Sequence, residues 1–382
     1  MVFITNARIK PITAPEIENG SILIENGKIV ALGADLEAPA GAQIIDAEGR
    51  LVTPGLVESH CHIGLHNESM RWEGADYNES ADPITPQMRA IDSFNPMDGM
   101  LKNAIRGGVT TACAGPGSAN VVGGTFLIAK LVGKRIDNMV VKQDAAMKCA
   151  FGENPKSVYG QTAKKSPKTR MATAALLREL LFKAKDYQQQ KDAGENPKFD
   201  MKLEAMLPVM RGEIPLKAHA HRADDIFTSI RIAKEFGVKL TLDHCTEGAL
   251  IADELAQEPY PALVGPSFGN KTKIELTNKS FETAGVLHKA GVKISIITDA
   301  PVITIENLAM CAGFASRAGL PMEEAWKAVT INPAEILGVA DRVGSLEPGK
   351  DADIVIWKDD PLTYIGGDAW MTIVDGNVVY TA

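Results

Sequence analysis

The chain has 382 residues, 45% hydrophobic and 23% charged, which is apolar material enough for a large core and suits one barrel with an appendage. A formal net charge of −8 argues against nucleic acid and against an anionic membrane surface as partners. No apolar run approaches the about 20 residues needed to span a bilayer, and the N-terminus lacks the basic and apolar segments of a secretory signal.

In chain order, the first fifty residues predict short strands, with Asn26–Gly27 as a hairpin turn. The last forty return to this style, in "DADIVIWKDDPL" and "WMTIVDGNVVYTA", with a second hairpin signal at Asp375–Gly376. Chain ends often lie close in space. Residues 1–50 and 343–382 are therefore expected to form one composite β-sandwich domain, and residues 51–342 a second unit.

In that second unit, short apolar runs alternate with amphipathic helical stretches. The spacing predicts strands at 52–60, 109–114, 145–150, 215–219, 239–244, 261–265 and 292–298, and a third in order at 121–129 or 138–143. Helices are predicted at 169–191, 223–236, 246–257 and 279–290. Strand–helix alternation over this length points to an α/β fold, a (β/α)8 TIM barrel. An open doubly wound sheet would want a glycine-rich phosphate turn, and "GPGSANVVGG" lacks that spacing.

The chain uses only seven histidines. In "LVTPGLVESHCHIGLH" His60 and His62 are one residue apart at a strand end, so their side chains share a face and can chelate one ion. His219 and His221 follow the fifth barrel strand, His244 the sixth and Asp299 the eighth, while Lys148 lies within the fourth. The C-terminal rim of a barrel is where catalytic groups gather, so this clustering reads as a metal site. His66 lies in the following loop, as a pocket residue or a solvated one, and His288 falls inside a helix.

An unpaired lysine inside a barrel strand carries a heavy desolvation cost, which favours a function for Lys148. Glu153 is its rival as the group on that side of the site, as a ligand or a substrate contact. Its "GENPK" recurs at 194–198, where it reads as plain turn chemistry. Arg222 can fork onto a substrate carboxylate, or form an ion pair with Asp224 or Asp225. Cys61, Cys113, Cys149, Cys245 and Cys311 form no CxxC pair and read as buried thiols of a reduced, cytoplasmic protein, with Cys61 and Cys245 as non-ligands.

"TPGLVESHCH", "TDAP" and the long segment "AVTINPAEILGVADRVGSLEPGKDADIVIW" (328–357) resemble the metal-dependent amidohydrolase superfamily over nearly the whole chain. "KCAFGENPKSVYG" and "HAHRADDI" resemble its imidazolonepropionase-like branch. The resemblance implies a barrel with a terminal β-sandwich. It implies His60, His62, His219, His244 and Asp299 as ligands, and Lys148, carboxylated by CO2, as a bridge between two metals if the site is binuclear. His219 is preferred over His221 because it matches the family's position; His221 shares its face and reaches metal or substrate. Relatives often read "TDHP" where this chain has Ala300, which puts their substrate in doubt here but not the metal.

The donor set suits Zn2+, with Mn2+, Co2+ or Fe2+ as alternatives, in one or two equivalents. A divalent ion brings the pKa of bound water towards neutrality. The expected activity is hydrolysis of a C–N bond in a small amide, cyclic amide or dipeptide-like molecule. Asp299 acts as general base and then acid, and His244 polarises the substrate oxygen if it is not a ligand. Deamination of a ring compound would use the same residues. A non-catalytic assembly protein would be expected to have lost ligands. Specificity falls to the loops 63–100, 115–125, 150–168 and 266–280. The first of them suits a lid or a contact between copies of the chain, which leaves a homo-oligomer open.

Overall fold

The computed structural model describes every residue of the chain except Gly366. Both chain ends enter one eight-stranded sheet. Its N-terminal strands are β1 (Val2–Ile9), β2 (Ile17–Glu25), β3 (Lys28–Gly33), β4 (Gln43–Asp46) and β5 (Leu51–Pro54). The next eight strands belong to the barrel, and the C-terminal strands β14 (Ile354–Trp357), β15 (Ala369–Val374) and β16 (Asn377–Thr381) return to this sheet. The two ends are joined where β14 pairs antiparallel with β5, Ile356 opposite Val52. Both hairpin signals are realised: Asn26 and Gly27, and Asp375 and Gly376, all have positive φ, as tight hairpin turns require. Ile4, Ile9, Ile22, Ile24, Ile354 and Ile373 form a core inside this sheet.

Gly55 passes the chain into the barrel. Its strands are β6 (Leu56–Cys61), β7 (Val109–Ala114), β8 (Val122–Lys130), β9 (Val140–Ala150), β10 (Leu216–Ala220), β11 (Leu240–His244), β12 (Ala262–Val264) and β13 (Ile294–Ile296), neighbours in that order. The pairings are parallel except on either side of β8, which runs antiparallel to both β7 and β9. A parallel crossover takes a dozen or more residues, and the loops 115–121 and 131–139 leave no room for one, so the third strand must turn back. Of the two candidate positions for that strand, 122–130 is the one occupied, and 138–143 is the beginning of the long β9. Among the described residues no ladder joins β13 to β6. Side chains bridge them instead: Ser59 Oγ and Ser295 Oγ are 2.7 Å apart, and Glu58 accepts from the Thr298 amide and hydroxyl at 2.8 and 2.6 Å.

Helices Arg170–Asp192 and Ala223–Phe236 lie where the periodicity places them. A further helix, Met201–Met210, was not among the predicted ones; Asp200 caps it, and Pro208 inside it disguises the pattern.

The terminal sheet docks on the face opposite the strand ends that carry the histidines. Trp357 Nε1 donates to Thr53 Oγ1 at 2.8 Å, and its ring covers Gly108 at the start of β7. Lys130, at the end of the reversed β8, meets Asp351, Asp353 and Asp375. Gly108 has φ +75, and a Cβ there would sit 2.3 Å from Trp357. Gly108→Ala is expected to lower stability by about 1–3 kcal/mol through overpacking, more if the left-handed backbone resists. Denaturant midpoints of the two proteins check this; an unchanged midpoint would show that Trp357 yields freely.

Candidate metal centre

His60 and His62 extend from the end of β6, with Asp299 beside them three residues beyond β13. Asp299 Oδ1 lies 3.2 Å from His62 Nε2 and 3.5 Å from His60 Nε2. On the other side, His219 from β10 and His244 from β11 have ring centres 4.4 Å apart, and His221 stacks on His244 at 4.7 Å. His60 and His244 connect the two groups, ring centres 5.1 Å apart. Among the described residues there are thus two clusters with donor atoms close enough for one ion each, His60/His62/Asp299 and His219/His221/His244.

Strand alternation alone does not produce this arrangement. His244 and Asp299 both have positive φ, 72° and 54°. Such backbone is costly in a non-glycine residue and concentrates at functional sites. It turns His244 inward although its neighbour Asp243 faces the barrel interior too.

Three of the rings have a fixed outer nitrogen. His62 Nδ1 donates to the Gly115 carbonyl at 2.7 Å and His244 Nδ1 to the Gly265 carbonyl at 2.8 Å, and His221 Nδ1 pairs with Thr246 Oγ1 at 2.7 Å. His60 Nδ1 lies 2.8 Å from Asp243 Oδ2, an ion-pair contact without hydrogen-bond geometry. Buried imidazole ligands are held in this way, one nitrogen oriented by a partner and the other free for metal. His244 Nε2 and Asp299 Oδ1 are buried with no hydrogen-bond partner. Orphaned polar atoms of this kind are expensive unless something binds them, so the donor set fits a divalent ion.

Burial pushes His60, His219 and His244 well below the ordinary imidazole range; Lys148 and Lys217 add to it at His60, His221 and Lys148 at His219, and His219 and His221 at His244. His221 falls to about 4, again mainly through burial. These rings are therefore neutral near pH 7, the form that ligates. Lys148, fully buried in β9, has its Nζ 3.3 Å from His60 Nε2, and burial lowers its ammonium to about 8.

Other predicted residues stand elsewhere. Arg222 forms a two-pronged ion pair with Asp224 at the surface, 3.0 and 2.9 Å, and does not line the cavity at the site. The Glu153 amide donates to Glu275 Oε2 at 3.0 Å, and its neighbour Asn154 is the one lining that cavity. His66 packs edge-on against Tyr77, ring centres 4.9 Å apart. The five cysteines are all free and buried.

Three buried residues were missed. Asp243 accepts from Thr241 at 2.8 Å and Lys217 at 3.3 Å while facing His60. Lys217 lies beside Lys148 in register. Glu275, from the loop after β12, sets Oε1 3.8 Å from Nε2 of both His219 and His221. Lys217 in "IPLKAHAH" and Asp243 in "VKLTLDHC" are charges in apolar runs just as Lys148 and Asp299 are. Glu275 sits in a loop and carries no such signal. Because the Asp243 carboxylate lies against His60 Nδ1, Asp243→Asn is expected to weaken metal binding by about 10–100-fold. Competition with a chromophoric chelator measures it, and an unchanged affinity would reduce Asp243 to a structural ion pair.

Barrel and paired clusters together define a metal-dependent hydrolase of the amidohydrolase type. The family model described as "Amidohydrolase family" matches residues 51–379, and the chain belongs to that family. Within it the chain falls in the imidazolonepropionase-like branch, and it is an enzyme acting on carbon–nitrogen bonds. It is 26% identical to an imidazolonepropionase of Geobacillus kaustophilus, over 90% of this chain and 84% of that one. It is 30% identical to amidohydrolase tasK of Hapsidospora irregularis over 94% of its own length, but spans only 40% of that relative. A crystal structure of an amidohydrolase from Thermotoga maritima superposes with a TM-score of 0.96 at 41% identity, with full coverage of both chains. Among the described residues no helix is long and apolar enough to cross a membrane.

Proposed function

We propose that the protein hydrolyses a C–N bond in a small amide, cyclic amide or dipeptide-like substrate, with a binuclear centre. The carrying observation is the convergence of two separate clusters with buried, oriented donors on one cavity of about 230 Å3, lined by His62, His219 and Asp299 among others. In this reading His60, His62 and Asp299 hold one ion and His219 and His244 the other. Lys148 Nζ, 3.3 Å from His60 Nε2, would as a free amine take up CO2 to give a carbamate shared by the two ions. Histidine and carboxylate donors suit Zn2+. When bound, such ions polarise a carbonyl oxygen and make hydroxide available near neutral pH.

The chain's own groups do the rest. Asp299 has an unpartnered oxygen at the cavity, so it accepts the proton of the attacking water and hands it to the leaving nitrogen. His244, its Nδ1 tied to Gly265, is assigned to the second ion rather than to polarising the substrate oxygen. Glu58 links the ends of β6 and β13 and so keeps His60 and Asp299 in register. Its carboxyl is pushed up to about 7 by burial, against the bonds from Thr298 and His60.

The size of the cavity favours small substrates, since it falls below the about 300–1,000 Å3 common for ligand pockets. Screening N-acyl amino acids, dipeptides, hydantoins and lactams for released amine, ammonia or carboxylate tests this reading. Turnover of at least one amide or lactam class is expected. Turnover confined to substrates without a scissile C–N bond would contradict it.

A further inference from the structure

We infer that Lys273 anchors an anionic group of the substrate, so that the substrate is a small amide or cyclic amide bearing a carboxylate. This rests on the hydrolase reading above and deepens it.

Lys273 belongs to the loop after β12 and lines the same cavity as His62, His219 and Asp299. It supplies the only lysine or arginine among the residues lining that cavity. The other two lysines of the loop are turned to its own backbone: Lys271 donates to the Thr277 carbonyl, and Lys279 to the carbonyls of Phe268 and Asn270. Lys273 points instead to Asn154, donating to Oδ1 at 2.8 Å. Asn154 in turn donates to Ser118 Oγ at 2.7 Å, and its Nδ2 lies 3.5 Å from His219 Nε2. Lysine, amide and hydroxyl thus form a continuous polar edge running from the cavity opening to the metal cluster.

The ammonium is not spent on a protein carboxylate. The nearest one, Glu275 Oε1, is 4.0 Å away, at the limit of an ion pair, and that oxygen has no hydrogen-bond partner. Lys273 keeps 36% of its side chain exposed, which leaves donors for a ligand. An ammonium has three donors and Asn154 takes one. Val158, Pro301 and Val302 give the cavity an apolar part suited to a short carbon linker. The sequence offers Arg222 for this recognition or for an ion pair, and its guanidinium is occupied by Asp224 at the surface. The cation that reaches the cavity comes from a different loop.

Matched substrates test the assignment: N-acetylglycine against N-isobutylacetamide, and hydantoin-5-acetic acid against 5-isobutylhydantoin, each neutral partner replacing the carboxylate by an isopropyl group of similar shape. The metal-replete enzyme is expected to favour the anionic member by about 10–100-fold in kcat/KM, the span of one charge-assisted hydrogen bond. Lys273→Met should erase this preference, through KM with kcat nearly kept, and Lys273→Arg should restore most of it. Parent enzyme without preference, or a Lys273→Met variant that retains it, would overturn the inference while leaving C–N hydrolysis intact. If none of the four is turned over, the same pairs are compared by ligand-induced thermal shift. A shift no larger for the anionic member than for its partner, or one that survives Lys273→Met, overturns the inference by that route, whereas failure of the hydrolase reading shows only in the wider substrate screen.

Discussion

Asp299→Asn is expected to keep most of the metal and to lower kcat by about 10²–10⁴-fold, the usual span for a positioned acid–base group. Asparagine has the same shape and an oxygen that can still ligate. It also tolerates the left-handed backbone that Asp299 adopts, at φ 54°, so the fold is not strained by the change. What it lacks is the proton acceptor. The carboxylate lies against His62 and His60, yet Oδ1 has no hydrogen-bond donor. An acidic group left so in a buried site is expensive unless it binds an ion and handles a proton. Rate and metal content must be read on the same preparation. A variant with full metal and nearly the parent rate would remove Asp299 from the chemistry.

The double substitution His60→Ala and His62→Ala is expected to be more severe. It takes two of the three donors from one cluster and leaves Asp299 facing Lys148 without an ion. Loss of several kcal/mol of transition-state stabilisation corresponds to a fall of about 10³-fold or more in rate. His219 and His244 are untouched, so partial metal content should survive in the second cluster. Circular dichroism separates this from unfolding. A folded double variant that binds metal as the parent does, or that remains active, would contradict the assignment.

Much of this site was legible in the sequence because strand ends place side chains by simple alternation. His60 and His62, and His219 and His221, converge as the one-residue spacing requires. Asp299 was legible for another reason, as an acidic group at the end of a run built for burial. Alternation fails at "LTLDHC". There Asp243 and His244 both turn inward, because His244 takes a left-handed conformation that spacing cannot announce. The strand count survived, but the direction of β8 did not follow from pattern. A buried strand looks the same read either way, and only the shortness of its two connecting loops betrays the reversal.

The loops were the least legible part. Lys273 and Glu275 lie in "NKTKIELTNK", a stretch rich in lysine with nothing to say which one turns inward. Asn154 sits next to Glu153, the residue offered as the rival of Lys148, and a one-residue displacement decides which side chain meets the cavity. Arg222 was read as either a substrate contact or half of an ion pair, and the nearby Asp224 decides between them.

The most direct measurement is the metal content of the purified protein by elemental analysis, before and after exhaustive chelation, with hydrolysis assayed on the same samples. About two equivalents of a divalent transition metal per chain are expected at first, together with activity that disappears on chelation and returns when Zn2+ is added back. Undiminished activity in protein shown to contain no metal would contradict the account.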